Sequence, residues 1–99
     1  MNVDELRSRL KSICENHRIS RLDLFGSRAR SEALEGGDFD FLARIETDSP
    51  KEYAETYFQL LEDLEENLGE PVDLLTPSNL SRQSLVRNIE KEKICIYER

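Results

Sequence analysis

The chain contains 99 residues, of which 37% are hydrophobic and 35% are charged. This composition predicts one small globular domain over residues 1–99 and is not that of a disordered tail. The formal net charge is −7. Because an acidic surface repels phosphate backbones, we expect no direct binding to nucleic acid, although a local basic site with metal ions is compatible with one bound triphosphate.

Cysteine usage and the lack of long apolar runs predict a cytoplasmic protein. Cys14 and Cys95 are the only cysteines, and their wide separation is more typical of two reduced thiols than of a metal site. The N-terminal segment MNVDELRSRL lacks the apolar run of a signal peptide. No stretch reaches the length of a transmembrane helix, so no membrane association is expected.

Helix and strand patterns alternate through the first half of the chain. Apolar residues recur at helical spacing over residues 3–17 and predict an amphipathic helix. Residues 21–26 are typical of a short strand that stops at a glycine, and residues 27–34 are expected to form a short helix after that turn. A pair of glycines then breaks the chain. Residues 38–45 alternate polar and apolar side chains, which predicts a second strand.

The next helix has the clearest predicted ends. Ser49 is a candidate N-cap, Pro50 suits the first helical position, and Glu52 completes a capping box. An apolar stripe follows at helical spacing. Gly69 lies where a left-handed C-cap belongs, so the helix is expected to end there.

The remainder of the chain continues this alternation. Residues 71–76 predict a third strand, residues 77–91 predict a helix, and residues 94–97 predict a final short strand. Alternating helices and strands are typical of an α/β fold. We therefore predict a small mixed β-sheet with helices packed on it.

Three aspartates on two predicted strands are candidates for one shared site. Side chains at positions i and i+2 of a strand point to the same face, so Asp38 and Asp40 are expected side by side, with backbones about 7 Å apart. A bound cation would relieve their repulsion, but a solvated edge strand explains the pair equally well. Asp73 either faces water or joins them in an oxygen-rich site for Mg²⁺. Two metals about 3.5–4 Å apart can stabilise both the attacking and the leaving oxygen.

The turn at Gly26-Ser27 is a second candidate feature. Glycine lets a phosphate approach the backbone, and the N-terminus of a following helix offers N–H groups and a positive dipole end. Ser27 adds a hydroxyl donor, and Arg28 and Arg30 place positive charge nearby. Each residue alone has a plainer explanation, since glycine often marks an ordinary turn and a single arginine is commonly a solvated surface residue.

The combined spacing of these features resembles a known signature. The run GSRARSEALEGGDFDFLARI is similar to the Gly-Ser, ten residues, Asp-x-Asp pattern of the DNA polymerase beta-like nucleotidyltransferase superfamily. More narrowly, the chain resembles the minimal nucleotidyltransferases, also known as MNT domains or MntA-type antitoxins. PVDLLTPSNL resembles their third-carboxylate strand and IEKEKICIYER their usual ending. The resemblance covers nearly the whole chain and implies a polymerase beta-like nucleotidyltransferase core.

The resemblance also implies two sets of site residues. Four would bind the phosphates of ATP, the substrate: Gly26, Ser27, Arg28 and Arg30. Three would be catalytic and would hold the cofactor, two Mg²⁺ ions: Asp38, Asp40 and Asp73. Asp73 would in addition help to deprotonate the acceptor hydroxyl. Arg28 is the weaker carry-over, because its position varies in the family.

For function, the resemblance implies an enzyme that moves AMP from ATP to a tyrosine hydroxyl of a partner HEPN-domain RNase toxin of the HepT type. The chain would then be the antitoxin of a toxin–antitoxin pair. A small domain has little room for an acceptor pocket, which fits an acceptor supplied by another protein, and its acidic surface suits a basic partner. Two alternatives stay open: an antitoxin that neutralises its partner by binding alone, and a nucleotidyltransferase that modifies a small molecule.

Overall fold

In the part of the chain that the structure describes, two helices pack on one face of a four-stranded mixed sheet. The computed structural model describes residues 1–31, 33–77 and 92–99. The elements in chain order are α1 (Val3–Asn16), β1 (Ile19–Phe25), β2 (Phe39–Ile45), α2 (Pro50–Leu68), β3 (Val72–Leu75) and β4 (Ile94–Glu98). The strand order is β3-β2-β1-β4. β1 is antiparallel to β2 and β4, whereas β2 and β3 are parallel, which confirms the predicted mixed sheet.

The hydrophobic core lies between the helices and one face of the sheet. Along β2 every second side chain is buried, and the rings of Phe39 and Phe41 stack with centroids 5.9 Å apart. The helices contribute leucines at helical spacing to the same core: Leu6 and Leu10 from α1, and Leu60 and Leu64 from α2. Because side chains alternate along a strand, the polar residues of β2 are carried on the face opposite the helices.

The ends of α2 confirm the predicted caps, with one difference. The Ser49 hydroxyl accepts the backbone N–H of Glu52 at 3.3 Å, and Gly69 adopts the left-handed conformation with φ +68°. The predicted capping box is only half formed. The Glu52 carboxylate accepts hydrogen bonds from the Thr47 hydroxyl and the Arg18 guanidinium, and the backbone N–H of Ser49 donates to the Thr47 hydroxyl instead.

The segment after β1 differs from the helix predicted over residues 27–34. Here the N–H groups of residues 29–31 each donate to the carbonyl three residues earlier, which gives consecutive turns. β2 returns antiparallel beside β1 and pairs Asp40 with Phe25. The connection therefore has to reverse the chain, and tight turns achieve this where a straight helix would not. Leu34 lies within this reversal at a positive φ of 53°.

The last part of the chain is described in two pieces. The predicted helix over residues 77–91 lies, apart from Pro77, outside the described residues. The final strand is confirmed as β4 and pairs with β1 at one edge of the sheet. Within the described ranges, neither helix combines the length and the apolar character needed to cross a bilayer.

Candidate active site

Asp40 and Asp73 lie side by side on the sheet face opposite the helices. β2 and β3 run parallel, and their register places Asp40 directly beside Asp73. The neighbours Phe39 and Phe41 are buried in the core, so the pleat turns Asp40 the other way. The structure thus brings together two of the three predicted carboxylates from segments that are distant in sequence.

Asp38 is placed differently from the prediction. β2 begins at Phe39, so the expectation that Asp38 lies within the strand is wrong by one residue. β1 ends at Phe25, which pairs with Asp40, and the chain turns before it could offer a partner to Asp38. The Asp38 side chain is exposed. Even so, its charge acts on the carboxyl group of Asp40, so the two lie within electrostatic range.

The carboxyl group of Asp40 has a raised pKa. Burial is the largest cause, followed by the negative charges of Asp73 and Asp38. A cation beside these groups would relieve the repulsion. Across residues 1–31, 33–77 and 92–99, no three His, Cys, Asp or Glu side chains are arranged to hold a metal ion by themselves. The carboxylate pair nevertheless fits Mg²⁺, which usually binds one or two carboxylates and completes its shell with substrate phosphates and water.

The backbone conformation at position 26 and the close contact with Asp40 both require a glycine there. Its φ is +77°, a region that residues with a side chain rarely adopt. A Cβ atom at this position would lie 2.3 Å from Oδ2 of Asp40 and 3.1 Å from its Cγ. The turn therefore approaches the Asp40 carboxylate closely, and only a glycine leaves space for it.

Ser27 closes the loop that connects β1 and β2. Its hydroxyl donates to the carbonyl of Gly36 at 2.9 Å. A Cβ atom at Gly37 would lie 2.7 Å from Oγ of Ser27, and the φ of Gly37 is +72°. The two glycines thus serve as more than a chain break, because they let the far end of the loop lie against Ser27.

Arg28 holds this loop together. Its Nε donates to the carbonyl of Gly37 at 2.8 Å, and its Nη1 donates to the carbonyl of Leu34 at 3.0 Å. Nη2 forms an ion pair with Glu70 at 2.8 Å, and the guanidinium carbon lies 3.9 Å from the ring centroid of Phe39. Every nitrogen of the guanidinium is engaged within the protein, which leaves this side chain poorly suited to contact a phosphate.

Arg30 is more accessible than Arg28. Its side chain is 59% exposed, against 12% for Arg28, and its Nη1 lies 2.8 Å from Oε1 of Glu92. A surface ion pair of this kind is weak and readily exchanged. Of the two arginines, Arg30 is therefore the one that can turn towards a bound anion.

Sequence reasoning missed Asp23. This residue is 2% exposed on β1, and both carboxylate oxygens lie 3.0 Å from Nε of Arg21. Asp23 is two residues from Phe25, the partner of Asp40 across the sheet, so it faces the same side as Asp40. The available signal was a charged residue inside the otherwise apolar run LDLF.

Comparison with known proteins identifies the family. A family model described as "Nucleotidyltransferase domain" matches residues 6–96, which span the Gly26 turn, β2 and β3. The chain belongs to the nucleotidyltransferase family. It is therefore an enzyme of this class, and the polymerase beta-like core inferred from the resemblance is confirmed.

Relatives of this nucleotidyltransferase include proteins of similar length. The Methanocaldococcus jannaschii protein named "Putative protein adenylyltransferase MJ1379" is 31% identical over 91 residues, covering 92% of this chain and 90% of the relative. A solved "putative minimal nucleotidyltransferase" is 32% identical with a TM-score of 0.68, and the match covers 95% of each chain. A chain from the complex of tri-AMPylated Shewanella oneidensis HEPN toxin with MNT antitoxin has a TM-score of 0.62 at 14% identity. That match covers 98% of this chain and 73% of the other, and it shows the shared fold.

Proposed function

We propose that this nucleotidyltransferase moves AMP from ATP to a tyrosine hydroxyl of a partner HEPN-family toxin and thereby acts as its antitoxin. The observation that carries the proposal is the pairing of Asp40 with Asp73 beside the turn at Gly26. Nucleotidyl transfer needs a substrate phosphate held next to clustered carboxylates, and the close approach of the Gly26 turn to Asp40 supports such a site here.

On the nucleotide side, the turn would receive the phosphates of ATP. Gly26 leaves its backbone unshielded by a side chain. The Ser27 hydroxyl beside it would exchange the carbonyl of Gly36 for a phosphate oxygen. Arg30 would swing from Glu92 to the triphosphate, since its guanidinium is largely exposed. Arg28 would act indirectly by holding the loop that carries Ser27.

On the metal side, Asp38, Asp40 and Asp73 would hold Mg²⁺, with two ions shared between the protein and the triphosphate. When bound, Mg²⁺ would supply positive charge against the transferred phosphate. The protein contributes the carboxylate pair, fixed by the β2–β3 register. Burial raises the pKa of Asp40 most, and the negative charges of Asp73 and Asp38 raise it further; a cation would offset the repulsion between these charges.

In the transfer itself, the acceptor oxygen forms a bond to the α-phosphorus and the bond to the bridging oxygen breaks. Pyrophosphate carries away the electron pair of that bond. Asp73 would accept the hydroxyl proton, because it stands beside Asp40 at the edge strand of the sheet. The protein would act mainly by positioning the two reactants and stabilising charge.

A protein acceptor fits both the chain and its relatives. Relatives of comparable length carry the name "Putative protein adenylyltransferase", and a structural neighbour was solved in complex with an AMPylated HEPN toxin. The net charge of −7 favours a basic partner such as an RNase. ATP and the two free thiols both suit the cytoplasm as the site of the reaction.

The proposal can be tested with the full chain, Mg²⁺, labelled ATP and the HEPN protein encoded beside it. We expect mass spectrometry to find AMP on a tyrosine of the HEPN protein. Asp40→Asn and Asp73→Asn should abolish the adduct. Asp48→Asn is the matched control, because Asp48 is an exposed aspartate in the turn before α2.

Three outcomes would overturn the proposal. Full transfer by both Asp40→Asn and Asp73→Asn would place the active site elsewhere. Neutralisation of the toxin with no adduct, in the presence of ATP and Mg²⁺, would instead support an antitoxin that acts by binding alone. An adduct on an added small molecule, but never on the HEPN protein, would change the acceptor class.

A further inference from the structure

A basic cleft lies on the same sheet face as Asp40. Its volume is about 300 Å³. We call this site the basic cleft. Four basic and two acidic side chains line it: Arg21, Arg44, Lys93, Arg99, Asp23 and Glu98. A local excess of positive charge is unusual in a chain of net charge −7. Its described lining includes none of the residues assigned above to ATP or Mg²⁺.

Two arginines of this cleft lie opposite each other on neighbouring strands. Arg21 of β1 and Arg44 of β2 are direct partners across the sheet, an arrangement that destabilises a strand pair when both charges are unrelieved. Arg21 is relieved by Asp23 at 3.0 Å and Glu98 at 2.7 Å. The Arg44 side chain is exposed and, among the described residues, has no hydrogen-bond or ion-pair partner.

The unrelieved charge of Arg44 suits an external anion. An exposed arginine on a convex surface is simply solvated, but Arg44 stands in a concave site where basic side chains outnumber acidic ones by four to two, which favours an anion. Its guanidinium presents a planar fork of donors that matches a carboxylate. A ligand carboxylate here would pair with Arg44 as Asp23 and Glu98 pair with Arg21.

The position of the cleft relates it to the transfer site. Asp40 and Arg44 are four residues apart on β2 and point to the same face, which places them about 13 Å apart. The phosphates of ATP belong at the Gly26 turn, and the ribose and adenine that could extend further carry no charge at neutral pH. Binding of ATP therefore does not explain positive charge at this distance from Asp40, whereas binding of an acidic acceptor protein across the sheet explains it.

We propose that the basic cleft binds an acidic side chain of the acceptor protein and so selects which hydroxyl is modified. A separation of about 13 Å corresponds to about four residues of extended chain, or about nine along a helix. The acceptor hydroxyl and the recognised carboxylate lie at this spacing. The assignment of the hydroxyl rests on the proposed function, but acidic-peptide binding in the cleft is independent of it.

Binding can be measured by NMR on the ¹⁵N-labelled full chain. The probe is acetyl-tetraglutamate amide, and tetraglutamine amide is the uncharged comparison. We expect saturable shifts at residues 20–23 and 42–44 with the acidic peptide only. Arg44→Glu should weaken binding by about tenfold or more. Lys51→Glu makes the same change in charge at an exposed position of α2 and should change the affinity for the acidic peptide by less than about twofold.

Three results would overturn the inference. The first is an absence of saturable shifts with tetraglutamate. The second is equal weakening by Arg44→Glu and Lys51→Glu, which would reflect net charge alone. The third is tighter binding of a short single-stranded RNA than of the peptide at the same residues, which would assign the cleft to nucleic acid.

An acceptor assay separates this inference from the proposed function. Arg44→Glu should retain the stabilisation of the protein by ATP and Mg²⁺ but raise KM for the HEPN protein about tenfold or more. Asp40→Asn should retain peptide binding while transfer is lost. Transfer without peptide binding would overturn the cleft alone, and peptide binding without any transfer would overturn the proposed function alone.

Discussion

Replacing Gly26 by alanine tests the contact between the turn at Gly26 and the carboxylate of Asp40. A Cβ atom would lie 2.3 Å from Oδ2 of Asp40, whereas ordinary contacts begin at 3.4 Å, so the carboxylate has to move by about 1 Å. A displacement of about 1 Å in an active site can cost about 10²-fold in rate. The positive φ adds a strain of about 1–2 kcal/mol. For a domain of this size, that lowers Tm by roughly 4–16 °C.

Gly69→Ala separates the two effects. Gly69 has a φ of +68°, but a Cβ atom there would meet nothing within 4 Å. The Gly69→Ala variant should therefore lose about as much stability as Gly26→Ala but keep the wild-type rate of AMP transfer. Thermal unfolding followed by circular dichroism and AMP transfer to the HEPN protein, measured well below Tm, are the assays. The reasoning is refuted if Gly26→Ala transfers AMP at the wild-type rate, or if Gly69→Ala slows transfer equally.

Four further variants test other features. Asp40→Asn should raise Tm of the ATP-free protein at neutral pH, because a raised pKa means that the Asp40 charge destabilises the folded state. This gain should shrink on acidification and vanish below the ordinary pKa of aspartate, where Asp40 is protonated whether folded or unfolded; a gain that persists there would contradict the assignment. Arg28→Lys should lower the free energy of unfolding, measured in urea, by about 2 kcal/mol, whereas Arg30→Lys should lower it by less than about 1 kcal/mol. Equal losses would disprove the loop-holding role of Arg28. Ser49→Ala should cost about 1 kcal/mol with unchanged transfer, measured by the same two assays.

Several elements of the fold followed from local sequence patterns. α2 was predicted with both caps because Ser49, Pro50 and Gly69 each act on the backbone within one turn of the helix. β2 was predicted because its alternation matches the period of a strand. The segment after β1 was predicted wrongly as a helix, since its geometry is imposed by the antiparallel return of β2 and not by its own residues.

The candidate site, like the fold, could be predicted only in part from the sequence. Asp40, Asp73 and Gly26 were singled out from residue type and spacing, and their roles in transfer stay predictions. Arg28 was grouped with them because of its charge. Its position against Phe39 and Glu70 depends on contacts between residues far apart in the chain, and no spacing rule indicates them. The same holds for Asp23 and the cleft beside it.

The sequence by itself determined the period of each strand and helix, the chemistry available at each position and the membership of a nucleotidyltransferase family. These follow from local backbone preferences and from which side chains carry charge or hydroxyl groups. Only the tertiary structure decided that Asp73 stands beside Asp40, that Asp40 rests against Gly26, and that Arg44 faces Arg21. Strand order and register decide such neighbours, and these are set by packing of the whole sheet against its helices.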